Sequence, residues 1–229
     1  MLVSVIIPTW NEEAHIEPCL SSAMRAYSTD DVEIVVADGS SADGTLDRLP
    51  KRVKVVHASR GRASQMNAGA RASHGQALVF CHADTLLPER WREEVLAALM
   101  LPGVAGGAFQ AELHPEVGLL RLFNRIPKPA HWATMFGDQA QFMSRAAFER
   151  VGGFQSLPLM EDLEMSRALR RIGRLIRVRA RVLTSSRRFL ERGVLRQSLQ
   201  DAWLLLAYLF LGLSVQEAAQ RYVSSREND

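Results

Sequence analysis

The apolar positions along the chain fall into two rhythms. Residues 2–7, 32–37, 53–57 and 77–80 are short runs without polar alternation, rich in Val and Ile. The runs at 2–7, 32–37 and 77–80 predict buried strands, and 53–57 predicts a third strand in chain order. Between them the spacing becomes helical. Ile16, Cys19, Leu20, Ala23 and Met24 recur on one helix face, with Asn11 as the N-cap, Glu12 and Glu13 in the first turn, and an end near Tyr27. Residues 45–49 predict a short helix capped by Asp43 or Ser41. The small-residue stretch after Arg60 predicts a helix to about Ala72, broken by Ser73-His74-Gly75, and residues 89–100 predict an amphipathic helix. Strand and helix thus alternate four times with short links. That pattern predicts a mostly parallel α/β sheet with right-handed crossovers and helices on its faces.

The second half has another rhythm. Residues 104–113 predict a strand in which Gly106-Gly107 permits close backbone approach. Residues 117–126 predict a short helix, and Pro127, Pro129, His131 and Trp132 mark a loop. A strand over 137–144, a helix over 146–151 and the turn Gly152-Gly153 follow. Residues 163–172 predict an amphipathic helix beginning just after Glu161-Asp162, residues 176–183 a half-buried strand, and residues 195–211 a helix. Ser214 with Glu217 forms a capping box for a last helix over 215–223.

Composition narrows the class. A chain of 229 residues is one large domain, or one domain with an appendage, and can bury a sizeable core. Its 47% hydrophobic and 23% charged residues are ordinary for a soluble globular protein. The net charge is +3, and the only lysines are Lys51, Lys54 and Lys128. Arginine suits bidentate phosphate contacts, although codon bias explains the same preference. Nothing suggests a nucleic-acid partner. Cys19 and Cys81 do not make a disulfide framework and fit a reducing, cytoplasmic compartment. The N-terminus lacks the basic region and cleavage site of a signal peptide. The longest apolar run, residues 202–213, is shorter than the ~20 residues that span a bilayer. It predicts packing on the sheet domain, a homodimer contact, or peripheral contact with a membrane, with Arg187, Arg188, Arg192 and Arg196 near anionic lipid.

Candidate chemistry gathers at strand ends. Asp38 and Asp84 each follow a predicted buried strand, where open α/β sheets bind ligands. On one edge they can serve a ribose and a divalent metal, since Mg2+ or Mn2+ takes one or two carboxylates plus diphosphate oxygens. The plainer reading is a turn cap and a helix cap. Arg60 and Arg62 open a helix from a small-residue loop, which makes an anion site unless both are merely solvated. No Gly-x-Gly-x-x-Gly follows the first strand and no Gly-x-x-x-x-Gly-Lys-Ser/Thr exists, which argues against NAD enzymes and P-loop NTPases. The histidines and cysteines lack metal-site spacing, and Gly-x-Ser-x-Gly is missing. Glu161-Asp162 suits a helix N-terminus by charge alone. It equally suits a general base beside the loop 152–158.

These blocks, in order, resemble glycosyltransferase family 2, whose fold is GT-A. The likeness is carried by Val3-Ser4-Val5-Ile6-Ile7-Pro8-Thr9-Trp10-Asn11-Glu12-Glu13, Val35-Val36-Ala37-Asp38-Gly39-Ser40-Ser41-Ala42-Asp43-Gly44-Thr45, Met66-Asn67-Ala68-Gly69, His82-Ala83-Asp84, and Gly152-Gly153-Phe154 with Glu161-Asp162. It covers roughly residues 2–175. A closer likeness is to a bacterial subgroup associated with radical-SAM genes and arsenosugar biosynthesis. It rests on Gly61-Arg62-Ala63-x-Gln65-Met66-Asn67-Ala68-Gly69-Ala70, His82-Ala83-Asp84-Thr85 and Leu159-Met160-Glu161-Asp162-Leu163-Glu164-Met165-Ser166.

The resemblance implies a GT-A domain over 1–190, with a nucleotide-binding half over 1–101 and an acceptor half over 102–190, and a helical extension over 191–229. It implies a metal-dependent inverting transferase moving a sugar from a UDP- or GDP-type donor to a hydroxyl acceptor, which a lipid could carry. Pro8, Thr9, Glu12, Asp38, Arg62, Asn67, His82 and Asp84 would bind the nucleotide sugar, with Mn2+ or Mg2+ on Asp84. Asp162, with Glu161, would be catalytic. His82 departs from the family pattern, which commonly has Asp there. The competing readings are a nucleotidyltransferase that makes a sugar nucleotide, which would carry a Gly-rich, Lys-containing signature absent here, and a non-catalytic nucleotide-sugar-binding module.

Overall fold

The computed structural model describes residues 1–25 and 30–210. The expected helix over 215–223, and the expected helix end near Tyr27, lie outside the described residues. The strands are β1 Val3–Thr9, β2 Val32–Asp38, β3 Lys54–His57, β4 Ala77–Phe80, β5 Thr85–Leu86, β6 Val104–His114, β7 Gln141–Ser144 and β8 Arg174–Ser185. The helices are α1 Ile16–Met24, α2 Arg62–Ala72, α3 Trp91–Leu99, α4 Leu120–Arg125, α5 Arg145–Arg150, α6 Glu161–Ile172, α7 Arg187–Arg192 and α8 Val194–Phe210. The strands form one sheet in the order β3-β2-β1-β4-β7-β6-β8-β5. The first four run parallel, as the four apolar runs predict. β7 is antiparallel to both β4 and β6, while β6 and β8 are parallel. The result is a mostly parallel α/β sheet with helices on both faces.

The uninterrupted apolar runs have a packing cause. In β1, Val3, Val5 and Ile7 point to one face, where Ile16, Cys19 and Leu20 of α1 and Trp91 and Val95 of α3 cover them. Ile6 points to the other face, with Leu78 and Phe80 of β4, and meets Met66 and Ala70 of α2, Phe148 of α5 and Met165 of α6. Both faces are therefore covered, and the polar Ser4 on the second face is buried with its hydroxyl satisfied, donating to Glu33 Oε2 and accepting from Gly75 N, each at 2.8 Å. Gly69 is where α2 comes closest: a Cβ there would sit 2.5 Å from Ile6 Cγ2. Arg145 staples the second half to the first. Its guanidinium donates to Gly75 O (2.7 Å), Ala70 O (3.1 Å), Ser73 O (2.9 Å) and Ser73 Oγ (2.8 Å).

Several expectations shift. Asn11 does not cap α1, which begins at Ile16. Asn11 instead has φ 54°, and its Oδ1 accepts from Ala42 N at 2.8 Å. The strand expected over 137–144 is shorter, because Gly137–Gln139 turns as a 3-10 helix before β7. The helix expected over 117–126 contracts to α4. β5 is a two-residue strand, antiparallel to β8, that no periodicity announces. Because β5 and β4 lie on opposite sides of the β7-β6-β8 group, residues 81–84 carry the chain from one side of that group to the other.

Candidate active site

Parallel pairing sets the site's position. Thr9 pairs with Asp38 and Ile6 with Phe80, so the loops after β1, β2 and β4 leave the sheet at one edge. The first two loops are laced together. Ser41 Oγ accepts from Asn11 N (3.0 Å), Thr45 Oγ1 from Glu12 N (2.8 Å), Asp43 Oδ2 from Glu13 N (3.1 Å), and Glu13 Oε2 from Gly44 N (3.2 Å). Pro8 and Thr9 are buried at the end of β1. Asp38 is 1% exposed, and its carboxylate serves its own loop: it accepts from Ser40 N and Ser41 N at 3.0 Å and from Ser41 Oγ at 2.6 Å. Beside this loop, Arg60 stacks its guanidinium 3.5 Å from the centroid of the exposed Trp10 ring.

The residues after β4 face a second group. His82 and Asp84 are half-buried. A Cβ on Gly137 would lie 2.6 Å from His82 Nε2 and 3.3 Å from Asp162 Oδ2, so glycine is what lets these three meet. Asp162 opens α6, and both its oxygens take backbone donors: Oδ2 from Gly137 N at 2.5 Å and Oδ1 from Leu163 N at 2.7 Å. Met160, just before, has φ 65°, a conformation costly for a side chain other than glycine. Glu161, Asp162 and Glu164 fall in the first turn of α6, where the helix dipole favours acids.

Arg62 joins the two groups. Its Nη1 lies 3.4 Å from Glu161 Oε1, with Arg62 44% exposed and Glu161 4%. It also lies within electrostatic reach of Glu12, His82 and Asp162. Asn67 is engaged elsewhere. Its carboxamide donates to Phe154 O at 2.8 Å and accepts from Phe154 N at 2.9 Å, clasping the Gly152-Gly153 turn, in which both glycines have φ near +80°.

The charges are unbalanced toward acid. Burial, then the neighbouring Asp84 carboxylate, push Glu12 up to about 6. Burial, then Glu161, push Asp162 up to about 6, against the Gly137 and Leu163 amides and Arg62, which favour its charged form. Burial and then Arg62 lower His82, so its imidazole is neutral at pH 7. Glu12 Oε2 and Asp138 Oδ1 are buried with no hydrogen-bond partner. Among the described residues no group of three or more His, Cys, Asp or Glu side chains is disposed to hold a metal. Asp84, whose carboxylate takes a long 3.4 Å contact from Thr85 Oγ1, together with Glu12, offers the one or two carboxylates that Mg2+ or Mn2+ uses alongside substrate phosphates.

Three residues escape a reading from sequence. Gln65 Nε2 donates to Thr9 O (2.6 Å) and Ala37 O (3.0 Å), and its Oε1 accepts from Gly61 N (3.2 Å), so one side chain ties β1, β2 and the start of α2. Its signal is a glutamine one helical turn from Gly69, on the sheet-facing stripe. Gln141 Nε2 donates to Asp162 O (3.0 Å), Met135 O (3.1 Å) and Ser166 Oγ (2.8 Å), which fixes the first turn of α6. Asp138 lies next to His82 in a segment whose apolar pattern looks like strand.

Residues 4–147 match the family described as Glycosyl transferase family 2. Validoxylamine A glucosyltransferase of Streptomyces hygroscopicus subsp. limoneus is 33% identical over 182 residues, covering 72% of this chain and 38% of its own length. The chain spans less than half the length of the curated relatives it matches. Among solved structures, the mannosyltransferase PcManGT from Pyrobaculum calidifontis, in complex with GDP-Man and Mn2+, is similar with TM-score 0.69 and 20% identity, over 97% of this chain and 73% of that one. The first 349 residues of S. aureus TarS, in complex with UDP-GlcNAc, give TM-score 0.67 and 17% identity over 81% of this chain and 59% of that one. At these identities the likeness establishes the α/β GT-A-like fold.

Proposed function

Because this chain belongs to glycosyltransferase family 2, we propose that it transfers a sugar from a nucleoside-diphosphate sugar to an acceptor hydroxyl with inversion at the anomeric carbon. The observation that carries the reading is the Asp162 carboxylate, held near pKa 6 at the start of α6, with Arg62 between it and the Glu12–Asp84 pair. A carboxylate of that pKa is mostly ionised at pH 7 and basic enough to take a hydroxyl proton as the bond to carbon forms. The acceptor oxygen bonds to the anomeric carbon, its proton passes to Asp162, and the bond from that carbon to the diphosphate oxygen breaks. The bonding pair leaves with the nucleoside diphosphate, so no covalent enzyme intermediate is needed. Glu161 is buried and pairs with Arg62, which in this reading would face the donor phosphates.

Mn2+ or Mg2+ would be held by Asp84 with Glu12, and when bound supplies positive charge to the leaving diphosphate. The acidic surroundings support this, since a diphosphate next to Glu12, Asp84, Glu161 and Asp162 needs added cations. Pro8 and Thr9 would line the nucleoside pocket, Asp38 would shape its loop, Asn67 would hold the turn that borders it, and neutral His82 would donate or accept one hydrogen bond to the sugar nucleotide. In this reading 1–101 is the donor half, 102–190 the acceptor half and 191–229 an extension, working in the cytoplasm. The base and sugar are open to test: one structural neighbour carries UDP-GlcNAc and another GDP-Man with Mn2+. The subgroup likeness to arsenosugar-type enzymes is a narrower form of the same proposal.

A thermal-shift panel of UDP, GDP, dTDP and their sugars, with and without Mn2+, identifies the donor. Asp84→Ala is expected to lose the Mn2+-dependent shift. Asp162→Asn is expected to keep it while transfer falls by about 10²–10⁴. In the wild type, kcat/KM is expected to fall at least tenfold per pH unit below about 6, where Asp162 and Glu12 both take up protons. Wild-type transfer by Asp162→Asn, or a flat acid limb, refutes the base assignment.

A further inference from the structure

Arg187 lies far along the chain from the strand-end acids, yet the fold brings it to the donor edge. The cause is the junction between β8 and α7. Thr184 pairs with Thr85, and their buried hydroxyls are 3.1 Å apart. Ser185 N donates to Asp84 O at 3.2 Å. Ser186 is fully buried, and donates from N to His114 O at 2.9 Å and from Oγ to Pro115 O at 3.0 Å. Arg187 N then donates to Ser185 Oγ at 3.2 Å. The backbone that carries Arg187 is thus fastened directly to the segment that carries Asp84.

From this anchor the side chain reaches the loops that follow β1 and β2. Its Nη1 donates to His15 Nε2 at 3.0 Å, and it lines an open cleft with Asn11, His15 and Asp43. Glu12 lies within its field. Burial and then Asp84 push Glu12 up, and Arg187 is the strongest influence in the opposite direction, ahead of Arg62. Two arginines from distant parts of the chain therefore bear on one acidic pair, and they differ in what holds them. Arg62 faces the buried Glu161 carboxylate, which offsets its charge. Arg187 is held by an imidazole nitrogen, and a nitrogen that accepts a hydrogen bond carries no negative charge to offset it.

We propose that Arg187 is a second phosphate-binding arginine of the donor site, holding the diphosphate of the nucleotide sugar beside Asp84. The inference rests on the nucleotide-sugar reading of the site. A guanidinium presents a planar pair of donors that matches two phosphate oxygens, and such charge-assisted contacts are among the stronger polar ones. The charges call for it. A leaving diphosphate gains negative charge next to Glu12 and Asp84, while Arg62 is already paired with Glu161. His15 is the partner that the phosphate replaces, since an imidazole is a weaker acceptor for a guanidinium than an anionic oxygen, and Arg187 is exposed enough to turn. Because Arg187 follows β8, the donor is held from both halves of the chain.

The test measures what the phosphates add to binding. The full 229-residue chain, with Mn2+, is titrated with ADP, CDP, GDP, UDP and dTDP, and then with the nucleoside that matches whichever diphosphate it binds. Arg187→Ala is expected to weaken the diphosphate about tenfold or more and to leave the nucleoside within about twofold of wild type. Arg187→Lys keeps the charge but loses the fork, and is expected to fall between the two. His15→Ala cuts the same contact from the other side and spares the guanidinium, so it is expected to bind the diphosphate as the wild type does. Equal losses for diphosphate and nucleoside in Arg187→Ala would make the residue a strut of the fold, as would the same loss in His15→Ala. Unchanged diphosphate affinity in Arg187→Ala would overturn the proposal while leaving the nucleotide-sugar reading intact. A wild type that binds none of the diphosphates overturns that reading itself, and this inference with it.

Discussion

Glu12 keeps Oε2 buried without a partner beside the Asp84 carboxylate. Its folded pKa of about 6 stands above the ordinary 4.5, so the folded chain holds this proton more tightly than the unfolded chain does. Stability from this group is therefore highest below about pH 4.5, where both states are protonated, and is lost as pH rises through 6. Glu12→Gln removes the desolvated charge. It is expected to raise the urea unfolding free energy by about 1 kcal/mol at pH 7.5, allowing for partial solvent screening, and by nearly nothing at pH 4.5. The same variant should need more Mn2+ to reach half-maximal transfer. A gain in stability that is equal at both pH values would remove the charge explanation. Asp38 is the contrary case. Its carboxylate is as buried as any at the site, yet three donors within its own loop engage it. At this scale the sequence placed acids at the strand ends, but not which ones would be satisfied and which left hungry. That depends on loop hydrogen bonds that no spacing encodes.

Among the elements, the short 3-10 turn Gly137–Gln139 matters most to the site, since it brings a backbone N–H to Asp162 and leaves room for His82. A methyl group on Gly137 would meet the imidazole at 2.6 Å. Gly137→Ala is expected to lower kcat at least tenfold by displacing the Asp162 carboxylate, with a loss of stability of about 1–3 kcal/mol from overpacking. Wild-type kcat in a folded Gly137→Ala chain would separate the turn from the chemistry. This element also marks where reading the chain ends. β1, β2 and β4 were legible because strands covered on both faces leave mostly apolar runs. The turn was not, because residues 137–144 were read as one strand, and the break depends on the left-handed Ala140. β5 was illegible for a simpler reason: two residues show no period. α6 was legible from its strong amphipathic pattern, yet its first turn begins two residues before the apolar pattern does, at the acids themselves.

For the whole molecule, the strand order makes the two halves depend on each other. β4 is buried at all four positions, and one of its two neighbours is β7, made more than sixty residues later in the chain. While the chain is being synthesised, Ala77-Leu78-Val79-Phe80 therefore waits as an open, apolar strand edge until residues 141–144 emerge and close it. Arg145, which follows at once, then locks the closure by reaching back to the 70–75 turn. A fragment ending at residue 101 keeps every loop of the donor side but none of this cover. It is expected to aggregate when expressed alone, and a soluble, monomeric fragment that binds nucleotide would contradict that. The antiparallel strand in the middle of the sheet thus acts as an internal chaperone, the late part of the chain shielding the early part from its neighbours on the ribosome.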